Sequence, residues 1–226
     1  MIENDMIICQ LLKQLIGLNT PDVLKPYDRK TGKVYSTQIV TRDDITIQEI
    51  MEQIKVKNTV KVDFNTDIEQ YGNVEWKVED GVLRIKGDNG VWDQDGIALK
   101  KGTNYPFKVD IRVKTDNTNI HLYYGNSYIS FRQHQHALDS LWIRDMLIGL
   151  YLGYPDKGII PVNEFIDISW IVHTNFMAVI VNDEVRHYGV NYPYMSIISS
   201  LNEKFRFGTA NGSTITVEKL EISELE

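Results

Sequence analysis

The stretch from Asn119 to Asp145 reads N-I-H-L-Y-Y-G-N-S-Y-I-S-F-R-Q-H-Q-H-A-L-D-S-L-W-I-R-D. It contains three short runs in which apolar residues alternate with polar or aromatic ones. Side chains on a β-strand point alternately to the two faces of a sheet. The runs therefore predict three neighbouring strands whose apolar face consists of Ile120, Leu122, Ile129, Phe131, Leu141 and Ile143. The opposite face then carries His121, Tyr123, Tyr128, Ser130, Arg132, His134, Trp142 and Arg144.

The same alternation continues through most of the chain after about residue 60. Its clearest example is Phe107 to Thr115, which predicts a strand with one buried and one solvated face. About a dozen such runs, separated by turn signals, predict a mainly β fold, either a sandwich or a barrel. The run from Phe176 to Val181 is apolar at every position, so a strand there needs cover on both of its faces.

The first 59 residues carry a helical pattern instead. Apolar residues at three- and four-residue spacings predict an amphipathic helix over residues 5–16. A capping box at Thr46 and Glu49 predicts a second helix that runs to about Ile54. We expect residues 1–59 to form a helical extension that packs on the sandwich of residues 60–226 and covers the doubly apolar strand. A winged helix would also suit this pattern, but the segment contains no Lys/Arg-rich recognition helix.

The end of the chain holds the strongest turn signal. An Asn-Gly dipeptide at 211–212 predicts a hairpin that joins residues 205–210 to residues 214–222. Within the second of these runs the alternation slips between Val217 and Leu220. That slip predicts a β-bulge.

Charge and composition exclude several classes of function. The net charge is −7, and it belongs to residues 61–226, where 16 basic and 23 acidic residues give 16 − 23 = −7. An acidic body disfavours nucleic acids and anionic membranes as partners. The single cysteine, Cys9, rules out an intrachain disulfide. No window is apolar enough for a membrane span, and the start of the sequence is acidic where a secretory signal would be basic, so we expect a cytoplasmic protein.

Residues 60–223 resemble the concanavalin A-like lectin/glucanase superfamily. The resemblance rests on G-V-L-R-I-K-G at 81–87, N-E-F-I-D-I-S-W-I-V-H at 163–173, F-M-A-V-I-V-N-D-E-V-R at 176–186 and F-G-T-A-N-G-S-T-I-T-V-E-K-L-E-I at 207–222. It implies a jelly-roll β-sandwich of two antiparallel sheets, with ligands on the concave sheet or on its edge loops. The superfamily includes lectins, glycoside hydrolases, adhesion modules and regulatory domains, so the fold alone does not define the function.

The glucanases of this superfamily carry E-x-D-x-E on one strand, and this chain has no such triplet. Its nearest equivalent is Glu164 and Asp167, whose spacing of three places the two carboxylates on opposite faces of a strand. We therefore assign no catalytic residue. A pair formed between strands, with Asp139 or Asp145 beside Glu164, stays open as an alternative.

Two further groups of residues resemble metal ligands. Asp88, Asp93 and Asp95 form an oxygen-rich segment that would suit calcium, although Asp, Asn and Gly are also the ordinary residues of turns. His134 and His136, with His121, would suit zinc, but no cysteine lies nearby, and solvated histidines explain the pattern equally well. We favour the plainer interpretation in both cases and predict no cofactor.

The polar and aromatic face offers the best candidate binding site. Flat rings beside hydrogen-bonding groups suit sugars, whose rings have apolar CH faces and a rim of hydroxyls. The predicted ligand-binding residues are His121, Tyr123, Tyr128, Arg132, His134, Trp142, Arg144 and Tyr151. We expect a non-catalytic protein that binds or senses a carbohydrate or another polyhydroxylated molecule, within a regulatory system in which the N-terminal helices provide the coupling. A glycoside hydrolase or lyase with a nonstandard carboxylate pair, and a protein-interaction module, stay open, and exposed edge strands would permit a homodimer.

Overall fold

The computed structural model describes residues 40–87, 95–117, 119–131, 139–145, 150–190, 203–210 and 212–226. Their strands form two antiparallel sheets. The nine-stranded sheet consists of β1 (Val40–Thr41), β2 (Val56–Lys61), β4 (Glu75–Glu79), β5 (Val82–Lys86), β7 (Phe107–Thr115), β12 (Ile166–Val172), β13 (Phe176–Val181), β14 (Glu184–Val190) and β16 (Thr214–Leu225). The seven-stranded sheet consists of β3 (Ile68–Tyr71), β6 (Gly96–Leu99), β8 (Ile120–Tyr124), β9 (Ser127–Phe131), β10 (Leu141–Asp145), β11 (Leu150–Tyr154) and β15 (Phe205–Gly208).

The alternation of the sequence explains how the two sheets pack. Every second residue of β7 is buried, and so are Leu83 and Ile85 of β5 and Ile215, Val217 and Leu220 of β16. These side chains meet those of the seven-stranded sheet in one core that includes Phe107, Trp170, Phe205 and Phe207. The Phe107 ring packs edge-on against the Trp170 ring with their centroids 5.8 Å apart. The predicted mainly β sandwich of two antiparallel sheets is thereby confirmed.

Strand β16 is the longest strand of the described chain and lies near the middle of its sheet. One edge pairs with β7 along most of its length, and the other pairs first with β5 and then with β2. The register shifts between Val217 and Lys219. This shift confirms the predicted bulge, which lets apolar residues on both sides of it reach the core.

The doubly apolar strand β13 is covered on both faces, as predicted. One face joins the core between the sheets, and the other packs in a second cluster with the short helix α1 (Ile47–Met51). Ile45, just before the N-cap Thr46, and Ile50 within the helix are both buried in this cluster. The first predicted helix, residues 5–16, lies outside the described residues, and the boundary at residue 60 stays a prediction.

The predicted hairpin at the end of the chain is wrong. Strand β15 pairs with β6 and β8 in the seven-stranded sheet, whereas β16 belongs to the nine-stranded sheet. A tight turn does exist, because the Ser213 amide donates to the Ala210 carbonyl at 3.2 Å. The turn reverses the chain from one sheet into the other, and the local sequence contains no information about the sheet that each arm joins.

No helix of the described residues has both the length and the apolar character that crossing a membrane would require.

Candidate functional site

The outer face of the seven-stranded sheet, which points away from the core, carries two rows of side chains. Strand register places the members of each row side by side across neighbouring strands. The first row is Glu69, Ala98, Arg206, Tyr123, Tyr128 and Arg144. The second row is Gly208, His121, Ser130, Trp142 and Gly153.

Five of the eight predicted binding residues lie together on this face, as the alternation predicted: His121, Tyr123, Tyr128, Trp142 and Arg144. Arg132 and His134 lie outside the described residues. The backbone of Tyr151 pairs with Arg144 across β10 and β11, but its side chain is outside the described set. The structure thus brings the described candidates together, and their role as ligand-binding residues stays a prediction.

His121 is the polar centre of the face. Only 2% of its surface is exposed, and its Nδ1 shares a hydrogen bond of 2.6 Å with the hydroxyl of Tyr123. Its ring stacks on that of Tyr128, with centroids 6.4 Å apart and an interplanar angle of 15°. The Nε2 atom of His121 is buried and has no hydrogen-bond partner among the described residues.

Ser130 lies directly opposite His121 on the neighbouring strand. It is fully buried, and its Oγ likewise has no hydrogen-bond partner in the described part of the chain. Directly opposite residues on antiparallel strands have Cβ atoms about 4.5–5.5 Å apart. Two neighbouring buried residues therefore each have a polar atom without a partner among the described residues, which is unusual because buried polar groups are nearly always hydrogen-bonded.

Burial also determines the charge of His121. Loss of solvent, together with a smaller effect of the positive charge of Arg144, lowers the pKa of its imidazole to about 3. The ring is therefore neutral at pH 7. A neutral imidazole has one donor and one acceptor nitrogen, so Nε2 offers one of these two functions to a partner.

The end of the face near β10 and β11 combines a cation with two aromatic rings. The Cζ atom of Arg144 lies 5.3 Å from the ring centroid of Tyr128 and 5.7 Å from that of Trp142. The guanidinium also donates to the Tyr128 hydroxyl. The Trp142 indole lies against Gly153, where an added Cβ would be 2.7 Å from its Cζ3 atom. Glycine at 153 therefore leaves room for the indole over the neighbouring strand.

The opposite end holds Arg206 and Tyr71, which the sequence did not predict as site residues. The Cζ atom of Arg206 lies 4.4 Å from the ring centroid of Tyr71 and 5.3 Å from that of Tyr123. These residues come from β15, β3 and β8, which are far apart in sequence. The alternation of Phe205, Arg206 and Phe207 does indicate that Arg206 faces away from the core, but the incorrect hairpin placed it in another sheet.

The described carboxylates do not form a catalytic pair on this face. Glu69, at the end of the first row, is bonded to the Lys204 ammonium at 2.5 Å. Asp167 belongs to β12 of the other sheet, where it forms an ion pair with Arg112 at 2.7 Å. Glu164 precedes the same strand, and the side chain of Asp145 is outside the described set.

The predicted metal sites fall largely outside the described residues. Asp88, Asp93, His134 and His136 all lie there, so the calcium and zinc interpretations stay untested. Within the described ranges, no three His, Cys, Asp or Glu side chains come close enough together to hold a metal ion.

A separate cavity of about 300 Å³ lies where β2 and β16 meet the loop that follows β6. Its apolar lining consists of Val60, Val62, Leu99 and Ile222, and its polar lining includes Lys100, Lys101 and Glu224. No aromatic ring lines it, and none of its lining residues has a buried polar atom that lacks a partner. The outer face of the seven-stranded sheet is therefore the better candidate site.

Neither a protein-family model nor a curated protein matches this chain. Solved structures do resemble it. A galectin-like protein of unknown function from Bacillus subtilis has a TM-score of 0.54 and 9% identity, over 76% of this chain and 98% of its own. The Bacillus licheniformis β-glucanase has a TM-score of 0.53 and 11% identity, over 75% and 100% of the two chains. Domain 4 of AbnA, a GH43 extracellular arabinanase from Geobacillus stearothermophilus in complex with arabinotriose, has a TM-score of 0.52 and 17% identity, over 76% and 93%.

Identities this low carry an argument about architecture only. Each of the three structures matches about three quarters of this chain and nearly all of its own. The chain has the concanavalin A-like jelly-roll β-sandwich fold.

Proposed function

We propose that the outer face of the seven-stranded sheet binds a carbohydrate or a similar polyhydroxylated molecule without transforming it chemically. The observation that carries the proposal is the pair of buried polar atoms, His121 Nε2 and Ser130 Oγ, on opposite positions of β8 and β9. A buried polar group without a partner costs about 1–3 kcal/mol. A ligand hydroxyl, which both donates and accepts, would satisfy either atom.

A ring beside this pair supplies the other half of sugar recognition. Tyr123 and Tyr128 are 4% and 2% exposed, with their ring centroids 5.1 Å apart, so the half-buried Trp142 at the margin of the face is the ring that a sugar can reach. Flat aromatic surfaces suit the CH faces of a pyranose, while the polar atoms beside them suit its hydroxyls. Among the solved structures of the same fold, the arabinanase domain was obtained with arabinotriose and the Bacillus licheniformis protein is a β-glucanase, which supports a carbohydrate ligand.

The carboxylates support binding without catalysis. Glycoside hydrolysis in this fold uses two carboxyl groups on either side of the scissile bond. Of the described strand positions on the outer face, Glu69 is the one carboxylate, and Lys204 already pairs with it. These strand positions therefore provide no pair of carboxyl groups that could act as nucleophile and proton donor.

Replacement of Trp142 tests the proposal. We expect Trp142→Ala to weaken binding of the best saccharide from a glycan array about tenfold, equivalent to about 1.4 kcal/mol, because a stacking surface is lost. Isothermal titration calorimetry measures the change. Trp76→Ala is the matched control, because Trp76 is 38% exposed on β4 of the other sheet, and it should bind as the wild type does.

Two results would count against the proposal. Equal losses in the Trp142 and Trp76 variants would place binding elsewhere or indicate a general loss of stability. Release of reducing ends from the bound saccharide would show that the protein is an enzyme.

A further inference from the structure

Arg206 is a cation held in place by aromatic rings at the accessible end of the outer face. Its guanidinium lies between Tyr71 and Tyr123, at 4.4 and 5.3 Å from their ring centroids. Its Nη2 donates to the Gly125 carbonyl at 3.0 Å. Arg206 itself is half-buried, and Tyr71 is 40% exposed, so the guanidinium is fixed but can be reached from solvent.

None of the described carboxylates forms an ion pair with Arg206. A guanidinium has five N–H donors, and the hydrogen bond to the neutral Gly125 carbonyl uses one of them, which leaves the others for another partner. Glu69 is the carboxylate of the same row, but it lies on β3 and is bonded to Lys204. Within the described residues Arg206 forms no ion pair, whereas the exposed Arg112 on the other sheet contacts two carboxylates.

A fixed, planar cation of this kind is suited to an anionic ligand group. The guanidinium fork matches the geometry of a carboxylate or a sulfate, and stacking on aromatic rings reduces the conformational entropy that each new hydrogen bond costs. We propose that the saccharide bound by the outer face is acidic and that Arg206 binds its carboxylate or sulfate group. This inference rests on the proposed function and specifies its class of ligand.

A second cation lies in the same row. Arg206 and Arg144 are separated by β8 and β9, so three strand spacings of about 4.8 Å place their backbones roughly 14 Å apart. Tyr123 and Tyr128 occupy the row between them. The spacing of the two guanidinium groups suits an oligosaccharide with repeated acidic groups. The net charge of −7 opposes such a ligand only weakly at contact, because physiological salt screens charges beyond about 8 Å.

The test compares acidic oligosaccharides with their own neutral forms. A panel of uronic-acid tetrasaccharides, each beside its carboxyl-reduced counterpart, is titrated calorimetrically into the wild type and into Arg206→Met. We expect the wild type to bind at least one acidic form tenfold or more tightly than its reduced counterpart. In Arg206→Met the ratio of the dissociation constants of the reduced and acidic saccharides should fall to about one. The affinity of this variant for the carboxyl-reduced saccharide should stay within twofold of the wild-type affinity. The same comparison is made with sulfated tetrasaccharides and their neutral forms as the second arm of the test. The arm in which the wild type prefers the acidic form more strongly identifies the anion, carboxylate or sulfate, that Arg206 binds.

Two further variants serve as controls. Arg206→Lys retains the charge without the planar fork, and we expect it to retain a part of the preference. Arg84→Met removes an exposed arginine from β5 of the other sheet and should keep the full preference. Thermal unfolding of each variant shows whether it is folded.

Three outcomes would overturn the inference. Equal binding of acidic and reduced saccharides by the wild type would do so while leaving the proposed function intact. An unchanged ratio in folded Arg206→Met would show that another residue selects the anion. Failure of every saccharide in both arms to bind would contradict the inference and the proposed function together.

Discussion

At the scale of single residues, two buried histidines show how this sandwich accommodates polar groups. His121 faces outward among aromatic rings, whereas His187 on β14 points into the sandwich opposite Val179. The His187 ring lies against the Tyr154 ring at a centroid distance of 4.7 Å, and 5% of the residue is exposed. Burial lowers the pKa of both imidazoles to about 3, so both are neutral in the folded protein near pH 7.

These shifts predict that the protein loses stability in mild acid. Below pH 6.5 the unfolded chain binds a proton at each of these histidines, while the folded protein does not until about pH 3. For each of the two histidines, the free energy of unfolding should therefore fall by about 2 kcal/mol as the pH is lowered from 7.5 to 5. Urea titrations at pH 7.5 and pH 5 measure this fall. In His187→Gln the fall should be smaller than in the wild type by about 2 kcal/mol. Equal pH dependence in the wild type and the variant would contradict the pKa that burial implies for His187.

The site residues that lie close together in the sequence could be predicted, whereas those that lie far apart in the sequence could not. His121, Tyr123, Tyr128, Trp142 and Arg144 lie within 24 residues, so simple alternation and short connections place them on one face. Arg206 and Tyr71 join them only through the strand order β8, β15, β6 and β3. Alternation shows which face of its own strand a residue occupies, but it contains no information about neighbouring strands from distant parts of the chain.

At the scale of elements, the short helix α1 depends on its first turn. Thr46 Oγ1 accepts a hydrogen bond from the Glu49 amide at 3.2 Å, and the Glu49 carboxylate accepts one from the Thr46 amide at 2.7 Å. The helix has five residues, too few to be stable alone, so this capping box and the packing of Ile50 must hold it in place. The capping box was readable in the sequence because all of its partners are local.

Removal of the cap should cost a measurable part of the stability. We expect Thr46→Ala to lower the free energy of unfolding by about 1 kcal/mol, because the first-turn amide of Glu49 loses its acceptor. Equilibrium denaturation in urea measures the difference. Thr46→Ser is the control, since it retains the hydroxyl and should lie within a few tenths of a kcal/mol of wild type. A serine variant as unstable as the alanine variant would show that the methyl group, and not the cap, stabilises α1.

The end of the chain shows where element-level prediction fails. An Asn-Gly turn followed by a regular strand is the usual pattern of a hairpin, and the bulge within β16 was predicted correctly. The arms of the turn nevertheless join different sheets, with Phe205 and Phe207 of β15 contributing to the core from the opposite side to Ile215 and Val217 of β16. Two strands that pack across a sandwich have the same local alternation as two strands that pair within a sheet.

At the scale of the whole molecule, the two sheets divide their roles. The outer side of the nine-stranded sheet is partly covered by α1 and elsewhere carries exposed ion pairs, such as Arg112 with Asp167. The outer face of the seven-stranded sheet is instead aromatic and polar, and its central residues are buried. The fold class was predictable because alternation repeats along some 160 residues. The ligand was not, because the same sandwich supports many functions and only the side chains of one face differ.

The central claim is that a saccharide satisfies the buried Nε2 atom of His121. Long-range ¹H–¹⁵N correlation spectra resolve the ring nitrogens of the five histidines, and single substitutions assign them. With the tightest-binding saccharide from the array at saturation, the account predicts a shift of the His121 Nε2 resonance, and in Trp142→Ala the same shift should need about tenfold more saccharide to reach half of its full size. The His187 signals, which arise from the other sheet, should stay unchanged. An unchanged His121 Nε2 resonance at saturation would contradict the account, and so would an array on which no saccharide binds.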